Sequence, residues 1–401
     1  MHVLLITQYF PPEIGAAASR WSDYTKILNQ QGHKVTVLCE VPNYPQGKYF
    51  HGYKSTWVKT EKINNNLTII RSYANANNRR SIFKKLIHYL TFMVSGIFNV
   101  NKVKKYDFVI VSVPPLFTGM IGVFLKKYKS IPFWLDIRDL WPDSALALNQ
   151  INKNFLYHLG KKIELLIYNS AEGFIFPVSG FKKYLNKQSI SIKQKPKYHL
   201  LNGISADFIS SIENIEIESD ERFTVLYSGN IGLAQGLETI IEAAKLLDKY
   251  PIDFRLIGDG VCKNHLQDLI KKENLEKFFF HNSMSRLELI KWIKKASVCV
   301  VPLINNSLFR TALPSKMFEY MACQKPIIIG IKGEAENLVN NSKSGTVVEP
   351  ENAILMSKAI IDYYQNKSKC IEHGTNGMIY VTENLKKEDL ISKVIKSIQN
   401  L

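Results

Sequence analysis

Short apolar runs that recur along the whole chain constrain its fold most strongly. Each run is rich in Val, Ile and Phe, and a helical stretch separates most neighbouring runs. Such runs are typical of strands buried on both faces of a parallel sheet. The first series covers residues 3–9, 34–40, 67–73, 107–113, 132–137, 174–178 and 199–201, and the second covers 224–228, 253–258, 277–281, 297–303, 326–331 and 346–348. We therefore predict an α/β protein with two parallel sheets.

A break between the two series divides the chain. It lies near residues 202–221, where the sequence becomes acidic from Glu213 to Glu221. A chain of 401 residues with 46% hydrophobic residues is long enough for two hydrophobic cores. We predict a first domain over residues 1–202 and a second domain over residues 203–375.

Glycine-containing turns follow several of the predicted strands. Gly229 and Gly232 stand between a strand and a helix, where backbone N–H groups and the helix dipole can receive a phosphate. The spacing differs from G-x-G-x-x-G, so a nicotinamide-binding fingerprint is not supported. Gly258 and Gly260 form a tight turn after the next strand, and Gly15 lies among small residues after the first strand.

The segment from Leu313 to Ala322 combines a helix start with two opposite charges. Pro314 stands where a helix would begin, and Lys316 and Glu319 lie three residues apart on one helical face. The start of a helix favours anions such as phosphate. The alternative is a surface ion pair that contributes a few tenths of a kcal/mol, about 0.2–0.5. Ligands bind beyond the carboxyl ends of parallel strands, so these turns together indicate one cleft between two facing domains.

The charge of the chain indicates an anionic partner. The net charge is +17, and residues 79–105 contain seven Lys or Arg and no Asp or Glu around an apolar stretch at 86–100. This stretch is shorter than the ~20 apolar residues of a spanning helix. It fits a helix lying in an anionic membrane interface or, equally well, a core helix with solvated ends. A second basic cluster lies within residues 181–199.

Cysteine and histidine positions bear on compartment and metal content. The five cysteines form no C-x-x-C pair, which indicates reduced thiols in a cytosolic protein. The histidines show no metal-ligand spacing, so we expect neither a metal nor another cofactor.

The order of motifs resembles that of the retaining family 4 glycosyltransferases of GT-B fold, over nearly the whole chain. The closest resemblance is to bacterial O-antigen and capsule enzymes that transfer N-acetyl-L-fucosamine. It implies two Rossmann-like domains facing across a cleft, with a C-terminal helix at 376–401 packing back on the first domain. The motifs are residues 8–15, 136–142, 202–203, 227–236, 257–260 and 313–322.

The resemblance also implies roles for single residues. Glu319 matches the second glutamate of the family's E-x7-E motif, which contacts the donor ribose, whereas the first glutamate falls at Thr311. Asn230 and Gln235 replace the family's diphosphate-binding cations, so Lys316 becomes the candidate charge. Arg138-Asp139 replaces a first-domain histidine, and Asp139 either contacts sugar or acceptor or holds its loop. The predicted catalytic residues are Lys316, Glu319, Asp139 and Arg138, and the predicted donor-binding residues are Gly15, Gly229, Asn230, Gly232, Gln235, Gly258, Asp259, Gly260, Met284, Leu313, Pro314 and Ser315.

The expected activity is retaining transfer of a sugar from a UDP-sugar to a sugar on undecaprenyl diphosphate. The enzyme would be cytoplasmic and peripheral on the inner face of the cell membrane, without nucleic acid as a partner. Two alternatives remain: another sugar-nucleotide enzyme of this fold, such as a 2-epimerase, and a non-catalytic basic protein that binds membrane or nucleic acid.

Overall fold

The computed structural model describes residues 1–13, 15–44, 46–77, 81–103, 105–217 and 222–400. The chain forms two compact units. Unit 1 comprises Met1–Leu201 together with the last residues from Leu390, and unit 2 comprises Asn202–Asp389.

Within the described residues, unit 1 is built on an eight-stranded sheet with the order β3-β4-β2-β1-β5-β6-β7-β8. All neighbours are parallel except the edge strand β3, which is antiparallel to β4. Apolar side chains on both faces of the central strands are buried. The strands are β1 (His2–Ile6), β2 (Lys34–Glu40), β3 (Val58–Lys62), β4 (Leu67–Ser72), β5 (Phe108–Val113), β6 (Trp134–Ile137), β7 (Gly173–Phe176) and β8 (Lys197–His199).

Helices cover the sheet of unit 1. They are α1 (Ala16–Gln30), α2 (Ile82–Val100), α3 (Leu116–Lys129), α4 (Asp143–Ala147), α5 (Phe155–Ser170), α6 (Gly180–Asn186) and α7 (Ile190–Gln194). The carboxyl ends of β1, β2 and β6 lead into loops, and these loops contain Gly15, Asn43 and Arg138, respectively. Because parallel strands end at the same edge of a sheet, these loops share one edge of unit 1.

Unit 2 has a parallel sheet of six described strands in the order β11-β10-β9-β12-β13-β14. The strands are β9 (Phe223–Asn230), β10 (Ile252–Asp259), β11 (Phe278–His281), β12 (Val298–Pro302), β13 (Ile327–Gly330) and β14 (Gly345–Val347). The helices are α8 (Ala206–Glu213), α9 (Glu238–Leu246), α10 (Lys263–Lys272), α11 (Arg286–Lys295), α12 (Ser315–Ala322), α13 (Glu334–Ser342), α14 (Ala353–Gln365) and α15 (Lys367–Asn384).

The last helix, α16 (Lys387–Gln399), carries the chain from unit 2 to unit 1. Ile391, Val394 and Ile395 are buried in the core of unit 1. The Tyr198 hydroxyl donates to the Ser397 carbonyl at 3.1 Å. The predicted helix at 376–401 corresponds to two helices, because residues 376–384 continue α15 in unit 2, and residue 401 lies outside the described range.

The predicted fold class, two α/β domains with parallel sheets, is confirmed. Strand β3 was not predicted, because its sequence, Val-Lys-Thr-Glu-Lys, is polar and half exposed and contains no apolar run. Strand β8 begins two residues before the predicted run at 199–201. The acidic break at 213–221 lies within unit 2, and its residues 218–221 lie outside the described ranges.

Candidate functional site

Helix α12 is fixed to the end of strand β9 by Tyr320. The hydroxyl of this buried tyrosine accepts a hydrogen bond from the Ser228 backbone N–H at 2.7 Å and lies 2.9 Å from the Ser228 hydroxyl. Residues four apart on a helix lie on the same face, so Lys316 points to the same side as Tyr320. The tyrosine therefore determines where Lys316 lies relative to the turn after β9.

Lys316 lies against the end of β9. Its Nζ atom is 3.7 Å from the centroid of the Tyr227 ring, within the range of a cation–π interaction. A Cβ atom placed on Gly229 would come within 2.9 Å of the same Nζ atom. Burial lowers the pKa of Lys316 to about 7, although the negative charge of Glu319 acts in the opposite direction. The structure thus brings together Lys316 and the glycine turn, which were predicted separately.

The turns after β9 and β10 pack on each other through their glycines. Gly258 has φ 154°, and a Cβ atom there would lie 1.9 Å from the Gly229 carbonyl oxygen. A Cβ on Gly260, with φ 157°, would lie 2.2 Å from the Ile231 carbonyl oxygen. The Ile231 N–H donates to the Asp259 carbonyl at 2.8 Å, which joins the two turns. Only glycine fits at Gly258 and Gly260, so these residues have a structural role in the shape of the turns.

Asn230 and Gln235 bond to each other and to the turn. The Gln235 side-chain oxygen accepts from the Gly232 N–H at 3.1 Å and from the Asn230 amide at 3.4 Å. Both side chains are neutral, so they shape the turn without adding charge. Any positive charge for an anion here must therefore come from other residues, and Lys316 is adjacent.

Glu319 is paired with an arginine that the sequence analysis did not identify. Its Oε1 atom lies 3.8 Å from Nη2 of Arg286, the first residue of α11. The start of α11 is readable from the sequence as a capping box formed by Ser285 and Glu288. The pairing with Glu319 joins residues that are far apart in the chain, and no local pattern predicts it.

The other predicted donor-site residues occupy loops of unit 2. At the position of the family's first glutamate, the Thr311 hydroxyl donates to the Leu308 carbonyl at 3.3 Å. Leu313 and Pro314 precede α12, which begins at Ser315, and the Pro314 carbonyl accepts from the Met317 N–H at 3.0 Å. Met284 directly precedes the capping residue of α11. The Thr311 side chain therefore makes a local structural bond.

Arg138 in unit 1 belongs to a buried hydrogen-bond network. Its Nε donates to the Ser112 hydroxyl at 2.9 Å and its Nη2 donates to the Pro114 carbonyl. Ser112 in turn donates at 2.7 Å to Asp136, which is fully buried. Asp136 also accepts from Trp21 at 2.7 Å and from Arg20 at 3.1 Å. Burial lowers the pKa of Arg138. These bonds hold the loop after β6 in place.

Asp139 and Gly15 lie in exposed or half-exposed loops of unit 1. The Asp139 Oδ2 atom accepts from the Ser144 hydroxyl at 2.9 Å, which is the loop-holding arrangement considered for this residue. Gly15 has φ 155°, and a Cβ atom there would lie 3.7 Å from the Tyr44 ring, an ordinary contact. Glycine is therefore favoured before α1 by its positive φ and not by a lack of room for a side chain.

A buried acidic cluster stands beside the Gly15 loop. Glu13 Oε1 accepts from the backbone N–H groups of Asn43 and Tyr44 at 2.9 and 2.8 Å. Glu40 accepts from the Asn43 amide at 2.9 Å, and its Oε2 atom lies 3.0 Å from Nε2 of His88. Burial and the neighbouring Glu40 charge raise the pKa of Glu13 to about 9. From the sequence, Glu13 was recognised only as part of the motif at residues 8–15.

The apolar stretch at 86–100 forms most of helix α2. Two of its polar residues are buried and hydrogen-bonded: Ser95 donates to the Tyr73 carbonyl at 2.6 Å and Asn99 donates to the Trp57 carbonyl at 2.9 Å. The opposite face exposes Phe83 and Phe98, at 69% and 62%. Residues 79, 80 and 104 of the predicted basic segment lie outside the described residues.

Two lysines of the second basic cluster act as helix caps. Lys195 Nζ donates to the Asn169 and Ala171 carbonyls at 2.6 and 2.5 Å, at the end of α5. Lys197 Nζ donates to the Ile192 carbonyl at 2.7 Å, near the end of α7. A lysine that binds terminal carbonyls stabilises a helix end. These two lysines therefore bind backbone carbonyls within unit 1.

Among the described residues, no group of three or more His, Cys, Asp or Glu side chains is arranged to hold a metal ion. No helix within the described ranges combines the length and the apolar character needed to cross a membrane.

Comparison with known proteins finds a family match within the second unit. Residues 209–380 match the family "Glycosyl transferases group 1". The putative colanic acid biosynthesis glycosyl transferase WcaI of Escherichia coli (strain K12) is 24% identical, and the alignment covers 100% of both chains.

Solved structures show the same fold over the whole chain. Sucrose-phosphate synthase from Thermosynechococcus elongatus superposes with a TM-score of 0.77 at 16% identity, covering 100% of this chain and 98% of the other. Anabaena HepE in complex with UDP-glucose has a TM-score of 0.72 at 12% identity, covering 100% of both chains. The chain therefore has the GT-B fold, and its residues 209–380 are similar to the group 1 glycosyl transferases.

Proposed function

We propose that this protein transfers a sugar from a UDP-sugar to a lipid-linked oligosaccharide during assembly of a cell-surface polysaccharide. The observation that carries the proposal is the position of Lys316, whose ammonium lies beside the glycine turn at the carboxyl end of β9. Ligands of open α/β sheets bind at this edge. The similarity to WcaI, a putative colanic acid biosynthesis enzyme, supports a role in polysaccharide assembly. The similarity to HepE, which was solved with UDP-glucose, supports a UDP-linked donor.

The donor would be held by charge and by backbone groups of unit 2. The diphosphate would lie against Lys316 and the N–H groups of the turn from Gly229 to Gly232. Glu319 would accept hydrogen bonds from the ribose hydroxyls, and the loop containing Met284 would line the base. Preorganised donors and charges of this kind stabilise a leaving group most where water is excluded.

The proposed reaction retains the configuration of the transferred sugar. The bond between the sugar C1 and the diphosphate oxygen breaks, and a bond forms on the same face between C1 and an acceptor hydroxyl oxygen. The acceptor proton passes to the departing phosphate, so no protein nucleophile is required. The proposed role of Arg138 is to hold the loop that presents Asp139 to the acceptor.

The proposed acceptor is a sugar on undecaprenyl diphosphate, and the proposed donor sugar is N-acetyl-L-fucosamine. Such an acceptor lies at the inner face of the cell membrane. Helix α2 offers a surface for this location, because it exposes Phe83 and Phe98 together with Lys84 and Lys85 at its start. Apolar and basic side chains on one helix suit the interface of an anionic membrane.

A donor screen tests the proposed function. The protein is incubated with UDP-linked sugars and a short lipid-diphosphate disaccharide, and products are detected by mass. We expect one UDP-sugar to add one glycosyl residue to the acceptor. Conversion of a UDP-sugar to its epimer without an acceptor would indicate a 2-epimerase instead. Binding of lipid or nucleic acid with neither donor binding nor transfer would contradict the proposal.

A further inference from the structure

Arg286 has one aromatic and one acidic neighbour in unit 2. Its guanidinium carbon lies 4.6 Å from the centroid of the Phe208 ring, and its Nη2 atom lies 3.8 Å from Glu319 Oε1. Phe208 is 3% exposed, so the ring is a fixed support. Stacking on a ring restricts an arginine side chain, whose planar group then presents its N–H groups in a defined direction. The Nη2 atom of this restricted group lies within ion-pair distance of Glu319.

The ion pair between Arg286 and Glu319 contributes little to stability. The side chains of Arg286 and Glu319 are 45% and 29% exposed, and pairs of this kind contribute about 0–1 kcal/mol. Arg286 is also the first residue of α11, where a positive charge opposes the helix dipole. Neither the ion pair nor the helix gives a strong energetic reason for an arginine at this position. Its geometry relative to Glu319 is the feature that remains to be explained.

We propose that Arg286 is a positioning residue that orients Glu319 for recognition of the donor ribose. This inference rests on the proposed function, because it takes Glu319 as the ribose-binding carboxylate. A carboxylate has about four lone-pair sites, so it can accept from a guanidinium and from two ribose hydroxyls together. An arginine anchored on Phe208 would hold the Glu319 side chain in one rotamer before the donor arrives, which reduces the entropy lost on binding.

The test compares UDP with 2′,3′-dideoxyuridine diphosphate, which lacks both ribose hydroxyls. Affinities of the full chain for both nucleotides are measured by calorimetry in the wild type, Arg286→Gln, Glu319→Gln and the double variant. We expect the wild type to prefer UDP by about tenfold or more, as hydrogen bonds to a charged group predict. Arg286→Gln should lower this ratio several-fold, and Glu319→Gln should bring it close to one. The double variant should resemble Glu319→Gln alone.

Controls separate positioning from general effects. Arg222→Gln removes another exposed arginine of unit 2, which pairs with Asp253 at 3.5 Å, and should leave the ratio unchanged. Arg286→Lys keeps the charge and should restore part of the ratio, and thermal unfolding checks that each variant is folded. An unchanged affinity ratio in folded Arg286→Gln, or additive losses of this ratio in the double variant, would overturn the role of Arg286. Either result would leave the proposed function standing. If the wild type binds neither nucleotide, the proposed function fails and the inference fails with it.

Discussion

Lys316 is the side chain on which the proposed donor site depends at the residue scale. Its pKa is lowered to about 7 by burial, so much of it is neutral at alkaline pH in the absence of an anion. A bound diphosphate favours the charged form and should raise this pKa. Binding of UDP at pH 8 is therefore expected to take up a proton, in an amount approaching one per site.

Calorimetry of UDP binding in buffers with different ionisation enthalpies measures this proton uptake. Lys316→Arg should bind UDP without taking up a proton, since arginine stays charged at this pH. Lys316→Met should bind weakly and also without uptake. The same proton uptake in the arginine variant as in the wild type would show that another group takes up the proton.

Glu13 gives a second prediction at this scale, about stability. Its pKa is raised to about 9 by burial and by Glu40, above the ordinary value of 4.5. Between these values the folded state keeps a proton that the unfolded state has lost, so the free energy of unfolding falls as the pH rises. Glu13→Gln keeps an oxygen that can accept from Asn43 and Tyr44 but does not titrate. The melting temperature of Glu13→Gln minus that of the wild type should therefore increase as the pH is raised from 5.5 to 8.5.

The matched control for Glu13→Gln is Glu383→Gln, at an exposed position of α15. The control should show the wild-type dependence of melting temperature on pH. A difference between Glu13→Gln and the wild type that stays constant with pH would contradict the raised pKa of Glu13.

Helix α2 carries the prediction at the element scale. Its buried face holds Ser95 and Asn99 in hydrogen bonds, while its opposite face exposes Phe83 and Phe98. Replacing both phenylalanines by Ser should weaken binding to vesicles containing phosphatidylglycerol by about tenfold or more, because two large apolar groups no longer enter the interface. Co-sedimentation at two salt concentrations measures this binding.

An exposed apolar residue in unit 2 provides the control. Ile371 is 70% exposed on α15, and Ile371→Ser should bind the vesicles as the wild type does. Binding should fall as salt rises if the lysines of α2 contribute. Equal binding of the double phenylalanine variant and the wild type would place the membrane-binding surface elsewhere.

Element by element, the sequence predicted the buried strands well and the exposed or long-range features poorly. Runs such as Leu4 to Ile6 are apolar on both faces, so their pattern alone indicates a central strand. Strand β3 has no such pattern, because its polar side chains face solvent at the edge of the sheet. For α2, the sequence could not tell which face is buried, since polar residues that bond to neighbouring backbone carbonyls are indistinguishable from polar residues in water.

The sequence predicted the helix start and the glycine turn of the candidate site, but it did not predict which side chains contact each other there. Pro314 and Gly229 mark a helix start and a turn through their own backbone preferences. The contact of Lys316 with Tyr227 and that of Glu319 with Arg286 depend on how α12 and α11 pack against the sheet. Such contacts join residues distant in the chain, and a single sequence contains no local signal for them.

At the scale of the whole molecule, the proposed chemistry predicts activity without a divalent metal. The proposed charge on the leaving diphosphate comes from Lys316 and backbone N–H groups. Sugar transfer should therefore persist after extensive dialysis against EDTA, within about twofold of the untreated enzyme. Loss of transfer that Mg²⁺ or Mn²⁺ restores would show that a metal neutralises the diphosphate instead.

The most direct test of the central claim is the melting temperature of the full chain with and without UDP. A ligand that binds the folded state raises this temperature with ligand concentration. We predict a clear rise for the wild type, an equal rise for Lys358→Met at an exposed position of α14, and little or none for Lys316→Met. No rise in the wild type, or an undiminished rise in Lys316→Met, would contradict a nucleotide-sugar site at Lys316.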